Sequence, residues 1–245
     1  YRGNFIESKH KIHAIAINKK HETVFQCGDP NFITCIRSSF KPFQAYPTLY
    51  HQGHTKYNFT QTEIALLCAA HNGEPRHIRV AKNMLKKISC THNSLECGTH
   101  LPPHLKTKHN IIKNKIKINA LYNNCSGKHI GMLTLAKMLK TTTDNYINYT
   151  HPVQQTIFKH LYNNHDVKPL HIGIDGCGAV APFFRLKDIA KLYIDFGTSS
   201  DSIYRTLYKA MVNKPYMIAG KSRFDSFFIE KILAFLNDDH VFYCP

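Results

Sequence analysis

Ser38 and Lys41 stand three residues apart in IRSSFKPFQAYPTLY, residues 36 to 50. On a helix that spacing puts two side chains one turn apart on the same face. A serine hydroxyl is a poor nucleophile until a base takes its proton. A lysine can be that base only if burial or a nearby cation makes its neutral form accessible, and Arg37 could supply the cation. Pro42 suits a first helical turn, where N–H groups have no intrahelical partner. An N-cap serine followed by a solvated lysine has the same spacing, so the Ser-x-x-Lys pattern alone leaves both readings open.

A second constellation is Cys125-Ser-Gly-Lys128-His129, and a third is Cys177 in DGCG. A cysteine just ahead of a helix lies in a field that favours its thiolate. Two thiolates brought together could bind Zn²⁺, with a neutral nitrogen or an oxygen as a further ligand and one position open to water. Cys125 and Cys177 are 52 residues apart, and spacing alone equally fits two buried structural cysteines. HQGH (51–54) and CGTH (97–100) are chance matches to metal motifs in a chain with 17 histidines.

The elements that must position these residues can be read from periodicity. KIHAIAIN (11–18) alternates apolar and polar residues and TVFQC follows a turn, which predicts a hairpin and an N-terminal sheet. Thr60 and Glu63 have capping-box spacing ahead of IALLCAA, predicting a buried helix over 61–70. Pro75 opens a second helix whose stripe of Ile78, Ala81, Met84, Leu85 and Ile88 marks a core face. CGTHLPPHLKTKH (97–109) reads as a loop, Ser126 to Lys128 open a helix, and another begins at Pro152. LHIGIDGCGAV (170–180) reads as a short buried strand running into a glycine-punctuated loop. Helices are expected over 186–194, 200–212 and 223–236, with a returning strand at HVFYCP. Strands first and helices after predict the α+β class, a sheet packed with helices.

The 245 residues, 43% of them hydrophobic, can bury a substantial core, as a single domain over 1–245 or as two intimately packed lobes. The chain opens without methionine and stops in an apolar run, so both ends read as cut. No stretch has the roughly 18 apolar residues of a membrane span. Eight cysteines without a CxxC pair fit a reducing, cytoplasmic compartment. The net charge of +16 raises the question of a polyanion partner. Its lysines, densest over 106–119, mix with Asn, His and Ile, however, and do not form an Arg-rich groove interleaved with aromatics. A solvated basic surface is therefore expected, and nucleic acid is not the expected partner.

Taken in order, NFIESKH (4–10), GDP (28–30), RSSFKPFQA (37–45), AAHNGE (69–74), ECGTHLPP (96–103), NNCSGKHIGML (123–133), HPVQQ (151–155), DGCGA (175–179) and AGKSRFD (219–225) resemble the asparaginase II family. The resemblance covers nearly the whole chain. It implies a fold like that of serine β-lactamases and penicillin-binding proteins, and a zinc-bearing serine-lysine amidohydrolase releasing ammonia from L-asparagine. Position by position, it implies a catalytic Ser38 with Lys41 as its base, and Cys125, Lys128 and Cys177 as zinc ligands. Arg37, His129 and Asp175 would orient ligands or substrate, and a lysine ligand would have to be neutral, so Lys128 is expected to have a depressed pKa. A homodimer is left open. The family has a second serine where this chain has Ala70, and the lysine that partners it would follow the last apolar strand, beyond Pro245. Val180 stands where the family usually has proline. An inactive remnant that keeps the fold and ligand site is the main alternative to an active enzyme.

Overall fold

The computed structural model of the chain describes residues 1–237; the strand expected at HVFYCP lies outside the described residues. β1 (Ala14–Ile17) and β2 (Thr23–Cys27) form the expected antiparallel hairpin, shorter than its alternating pattern because the first residues of KIHAIAIN stay outside the ladder. β3 (Ile33–Cys35) belongs to a separate sheet. The chain then makes a 3₁₀ turn over Arg37–Phe40 and enters α1 (Lys41–Tyr50), where Pro42 takes the first turn as its missing N–H allows.

Helices dominate the middle. α2 (Gly53–Lys56) and α3 (Gln61–Leu67) come first, and the α3 capping box is complete: Glu63 N–H donates to Thr60 Oγ1 and Thr60 N–H to Glu63 Oε2. α4 (Pro75–Lys87) buries His77, Ala81, Met84 and Leu85 at helical spacing. The expected loop over 97–109 is corrected at its end, where α5 (Leu105–Lys113) starts on a cap from His104, whose side chain accepts from Thr107 N–H. A histidine cap falls outside the Ser/Thr/Asp/Asn signature that marks helix starts. α6 (Ser126–Met138) is buried from Ser126 to Ala136 on every face, and α7 (Pro152–His165) follows.

A hairpin interrupts the helices. β4 (His171–Ile174) is largely solvent-facing, contrary to the buried strand expected there. The buried partner is β5 (Val180–Arg185), the centre of an antiparallel sheet of order β3-β5-β4. Pro182 sits inside β5 and donates no backbone bond, although its carbonyl accepts from Ile36 N–H at 3.2 Å. After this hairpin come α8 (Leu186–Thr198), α9 (Ser202–Asn213), α10 (Pro215–Ile218) and α11 (Phe224–Asn237). Helices and small antiparallel sheets are thus combined in a mixed fold.

One apolar core joins α1, α3, α4, α6, α7, β5, α8, α9 and α10. Phe40 is almost fully buried and its ring meets Phe43, Phe158 and Phe184 at centroid distances of 6.1, 6.0 and 6.3 Å. It ties the 3₁₀ turn to α1, α7 and β5, which fixes where Ser38 and Lys41 leave the backbone. Among the described residues, no helix is long and apolar enough to cross a membrane.

Candidate functional site

α6 begins at a buried corner built by Asn123. Its Oδ1 accepts the Cys125 N–H at 2.8 Å and its Nδ2 donates to the Cys97 carbonyl at 2.7 Å, which holds Cys125 at the N-cap position. Gly127 lets the helix press on the end of α3, because a Cβ there would run into the Leu66 carbonyl. Lys128 and His129 follow within the first turn, both buried.

The β4–β5 turn closes over this corner. Asp175 N–H donates to the Ala179 carbonyl and Gly178 N–H to the Asp175 carbonyl, with Gly178 at φ +80°, a conformation that favours glycine. Cys177 is thereby turned inward. Lys128 Nζ donates to Cys177 Sγ at 3.0 Å and lies 3.6 Å from Asp175 Oδ2, while the Cys177 thiol donates to the same carboxylate at 3.4 Å. The ligand atoms of Cys125, Asp175 and Cys177 all lie within 4.8 Å of one another, a group that could hold a metal ion. The two cysteines that sequence spacing left unconnected are brought together.

Charge inside the cluster is divided unequally. The hydrogen bond from Cys177, aided by Lys41 and Lys128, outweighs burial and pulls the Cys125 thiol down to about 6; that same bond and burial push Cys177 up. Burial lowers Lys128, but the charges of Cys125, Cys177 and Asp175 outweigh it and hold the ammonium above its ordinary value. The depressed pKa expected of Lys128 belongs to a lysine beside a bound cation, whereas the neighbours that act on it here are thiols and a carboxylate. Lys41 is the depressed lysine, chiefly through burial, with Lys128 adding to the shift against the opposing pull of Cys125.

Lys41 Nζ is almost fully buried and donates to the Ala69 carbonyl at 2.6 Å. Ser38 and Arg37 are exposed, and no hydrogen bond joins Ser38 Oγ to Lys41 among the described residues. Arg37 takes φ +51°, a conformation uncommon for a residue with a Cβ. Ala70 is half-buried beside Lys41's carbonyl partner, its N–H donating to the Ile218 carbonyl at 2.9 Å. His129 Nδ1 meets Tyr146 Oη at 2.7 Å, and Tyr146 Oη accepts from Glu96 N–H at 2.8 Å. Burial lowers the pKa of His129 and Cys177 interacts with its ring.

The family model for L-asparaginase II matches residues 1–235 of the chain. The chain belongs to the L-asparaginase II family. No curated protein sequence matches it. Family membership brings asparagine hydrolysis into view as a general activity, and the arrangement above is the part of this member that bears on it.

Sequence reading missed Asn123, Tyr146 and Glu96 as supports. Asn123 had a local signal, since an Asx residue two positions before a helix N-cap often bonds backbone N–H groups. Tyr146 had none, because its link to His129 spans 17 residues with no motif between them.

Proposed function

We propose that the chain is an L-asparagine amidohydrolase of low turnover, with Ser38 as nucleophile, Lys41 as its base and a zinc ion held by Cys125, Cys177 and Lys128. The observation that carries the reading is the convergence of Lys41, Cys125, Lys128, Asp175 and Cys177 in one buried pocket of charge, assembled from α1, α6 and the β4–β5 turn. Two sulfurs, an amine and a carboxylate form a donor set suited to a borderline-soft divalent ion. To bind zinc, Lys128 would give up its proton, and Asp175, already within ligand range of both sulfurs, would accept from or replace it. Bound zinc would supply a fixed positive charge for an oxygen of the amino acid.

The remaining chemistry rests on the chain's own groups. A neutral Lys41 can keep one N–H on the Ala69 carbonyl and offer its lone pair to the Ser38 hydroxyl. Ser38 Oγ then attacks the side-chain carbonyl of asparagine while its proton passes to Lys41. The C–N bond breaks, Lys41 returns the proton to the departing ammonia, and water hydrolyses the aspartyl ester to aspartate. Arg37 would meet the amino acid's carboxylate at the mouth of the site. The fold is proposed to be related to that of serine β-lactamases, on the strength of a Ser-x-x-Lys turn leading a buried helix beside an antiparallel sheet.

Alanine at position 70 removes the hydroxyl that the family places beside the first pair. Together with the absence of a Ser38–Lys41 hydrogen bond, this favours a second reading, a member that keeps the ligand site but no longer turns over. Ammonia release from asparagine and from glutamine separates the two readings. The first expects activity in the natural chain that Ser38→Ala and Lys41→Met each abolish, with no further loss in the double variant. Wild-type turnover in either single variant would remove that residue from the proposed nucleophilic pair, and no activity in the natural chain would establish the second reading.

A further inference from the structure

The lysine-rich stretch over 106–119 ends at Lys117, which lines a cleft of about 880 Å³ on the outer face of α4. Arg79, Lys82 and Lys86 line the same cleft, and their spacing puts all three on one face of the helix. All four cations are exposed. The floor between them is apolar: Leu85 and Leu121 are buried, and Tyr122 is half-buried at the end of a 3₁₀ turn over Ala120–Tyr122.

Nothing in the cleft balances this charge. No aspartate or glutamate is among its lining residues, and none of the four cations makes an ion pair among the described residues. Lys87, on the same helix, shows the contrast, since its Nζ donates to Glu63 Oε2 and to the Asn58 carbonyl, both at 2.7 Å. Like charges three and four residues apart on a helix repel. Arg79, Lys82 and Lys86 form such a run, so the stripe destabilises α4, and an anion seated in the cleft offsets that repulsion.

The shape narrows the anion. The volume is in the range of sites for small organic ligands, and an apolar floor with a tyrosine ring suits a flat, weakly polar body. Arg79 to Lys86 span about 10 Å along the helix axis, the reach of one short phosphate chain. A free phosphate would leave the floor uncovered. A nucleic-acid strand uses a succession of aromatic platforms, whereas the described lining residues include one tyrosine and no phenylalanine. We propose that this cleft binds a nucleoside polyphosphate, with its phosphates between the α4 stripe and Lys117 and its base on the floor at Tyr122. The site is separate from the proposed amidohydrolase chemistry and does not depend on it.

Calorimetric titration of the natural chain with ATP, ADP, AMP and inorganic tripolyphosphate, at about 150 mM salt so that long-range attraction is screened, tests the assignment. ATP should bind at one molecule per chain, with affinity falling from ATP to ADP to AMP. Lys82→Glu/Lys86→Glu should weaken ATP at least about tenfold, the lower range for lost hydrogen bonds to charged groups. Lys106→Glu/Lys113→Glu changes the net charge equally outside the cleft and should leave the affinity as it was. Arg79→Gln, a milder change in the same stripe, should repeat part of the loss should charge reversal disturb α4. Tyr122→Ala should weaken ATP and not tripolyphosphate. Equal losses in the two double variants would reduce the effect to net charge, and tripolyphosphate binding as tightly as ATP would make the ligand an inorganic polyphosphate; either result would overturn the proposal. So would a short single-stranded oligonucleotide that binds more tightly than ATP and is weakened by the same variants, or the lack of saturable ATP binding.

Discussion

The two halves of the site are built to different standards. At the start of α6, Cys125 is held by Asn123, Lys128 by Cys177 and Asp175, and His129 by Tyr146, and all are buried among fixed partners. At the start of α1, Lys41 is buried but Arg37 and Ser38 face solvent with no hydrogen bond between the serine and its supposed base. The half proposed to hold the metal is organised by the fold itself, and the half proposed to carry the nucleophile depends on whatever else enters. Ala70, which adjoins the carbonyl that Lys41 donates to and has no hydroxyl to offer, falls on the second half, and that is where impairment is expected.

The sharpest way to test that contrast is to rebuild the weaker half. Ala70→Ser should raise ammonia release toward the roughly 10²- to 10⁴-fold that a positioned proton-transfer group contributes, without changing the apparent affinity for zinc. No gain would locate the defect elsewhere. Breaking the stronger half should show in stability instead. Lys128→Met strips a buried cation from Cys177 and Asp175, and in the metal-free chain it should cost about 3–5 kcal/mol by denaturant titration. A loss near zero would mean the cluster is not held together as its distances suggest.

A smaller effect concerns acid. His71, His77 and His129 are buried with pKa values lowered mainly by desolvation, while in the unfolded chain each titrates near 6.5. Below that value the unfolded chain binds protons that the folded chain refuses. Stability is therefore retained above about pH 6.5 and lost as pH falls toward the depressed folded values, by up to about 1.4 kcal/mol per unit for each histidine that stays neutral. Denaturation midpoints at pH 7 and pH 5 should differ accordingly, and His71→Phe should flatten the slope. The smallest expected effect is at the exposed turn, where Ser38→Ala should leave stability within about 0.5 kcal/mol of the natural chain.

Local signals in the sequence were enough for elements whose rules are local. The Thr60 and Glu63 capping box, the stripe of α4 and Pro152 at the head of α7 all correspond to helices where they were expected. β5 was hidden because Pro182 argues against a central strand, and α5 because His104 is an unusual cap. Ser126 to Lys128 marked the start of α6, yet the helix is buried on all sides, so no stripe indicated what it packs against. Spacing could not join Cys125 to Cys177. That needed either a family resemblance or the β4–β5 turn, since a contact across 52 residues is a property of topology. The neighbours that set the charge on Lys128 were hidden for a related reason: Asp175 and Cys177 come from a distant part of the chain.

Metal content tests the central claim most directly. The purified natural chain should carry about one Zn²⁺ per molecule, the stoichiometry of a single closed donor set, and the Cys125→Ser/Cys177→Ser double variant should carry none while Ser38→Ala retains it. A natural chain that is metal-free and takes up no added zinc, or a double variant with undiminished zinc, would contradict the account.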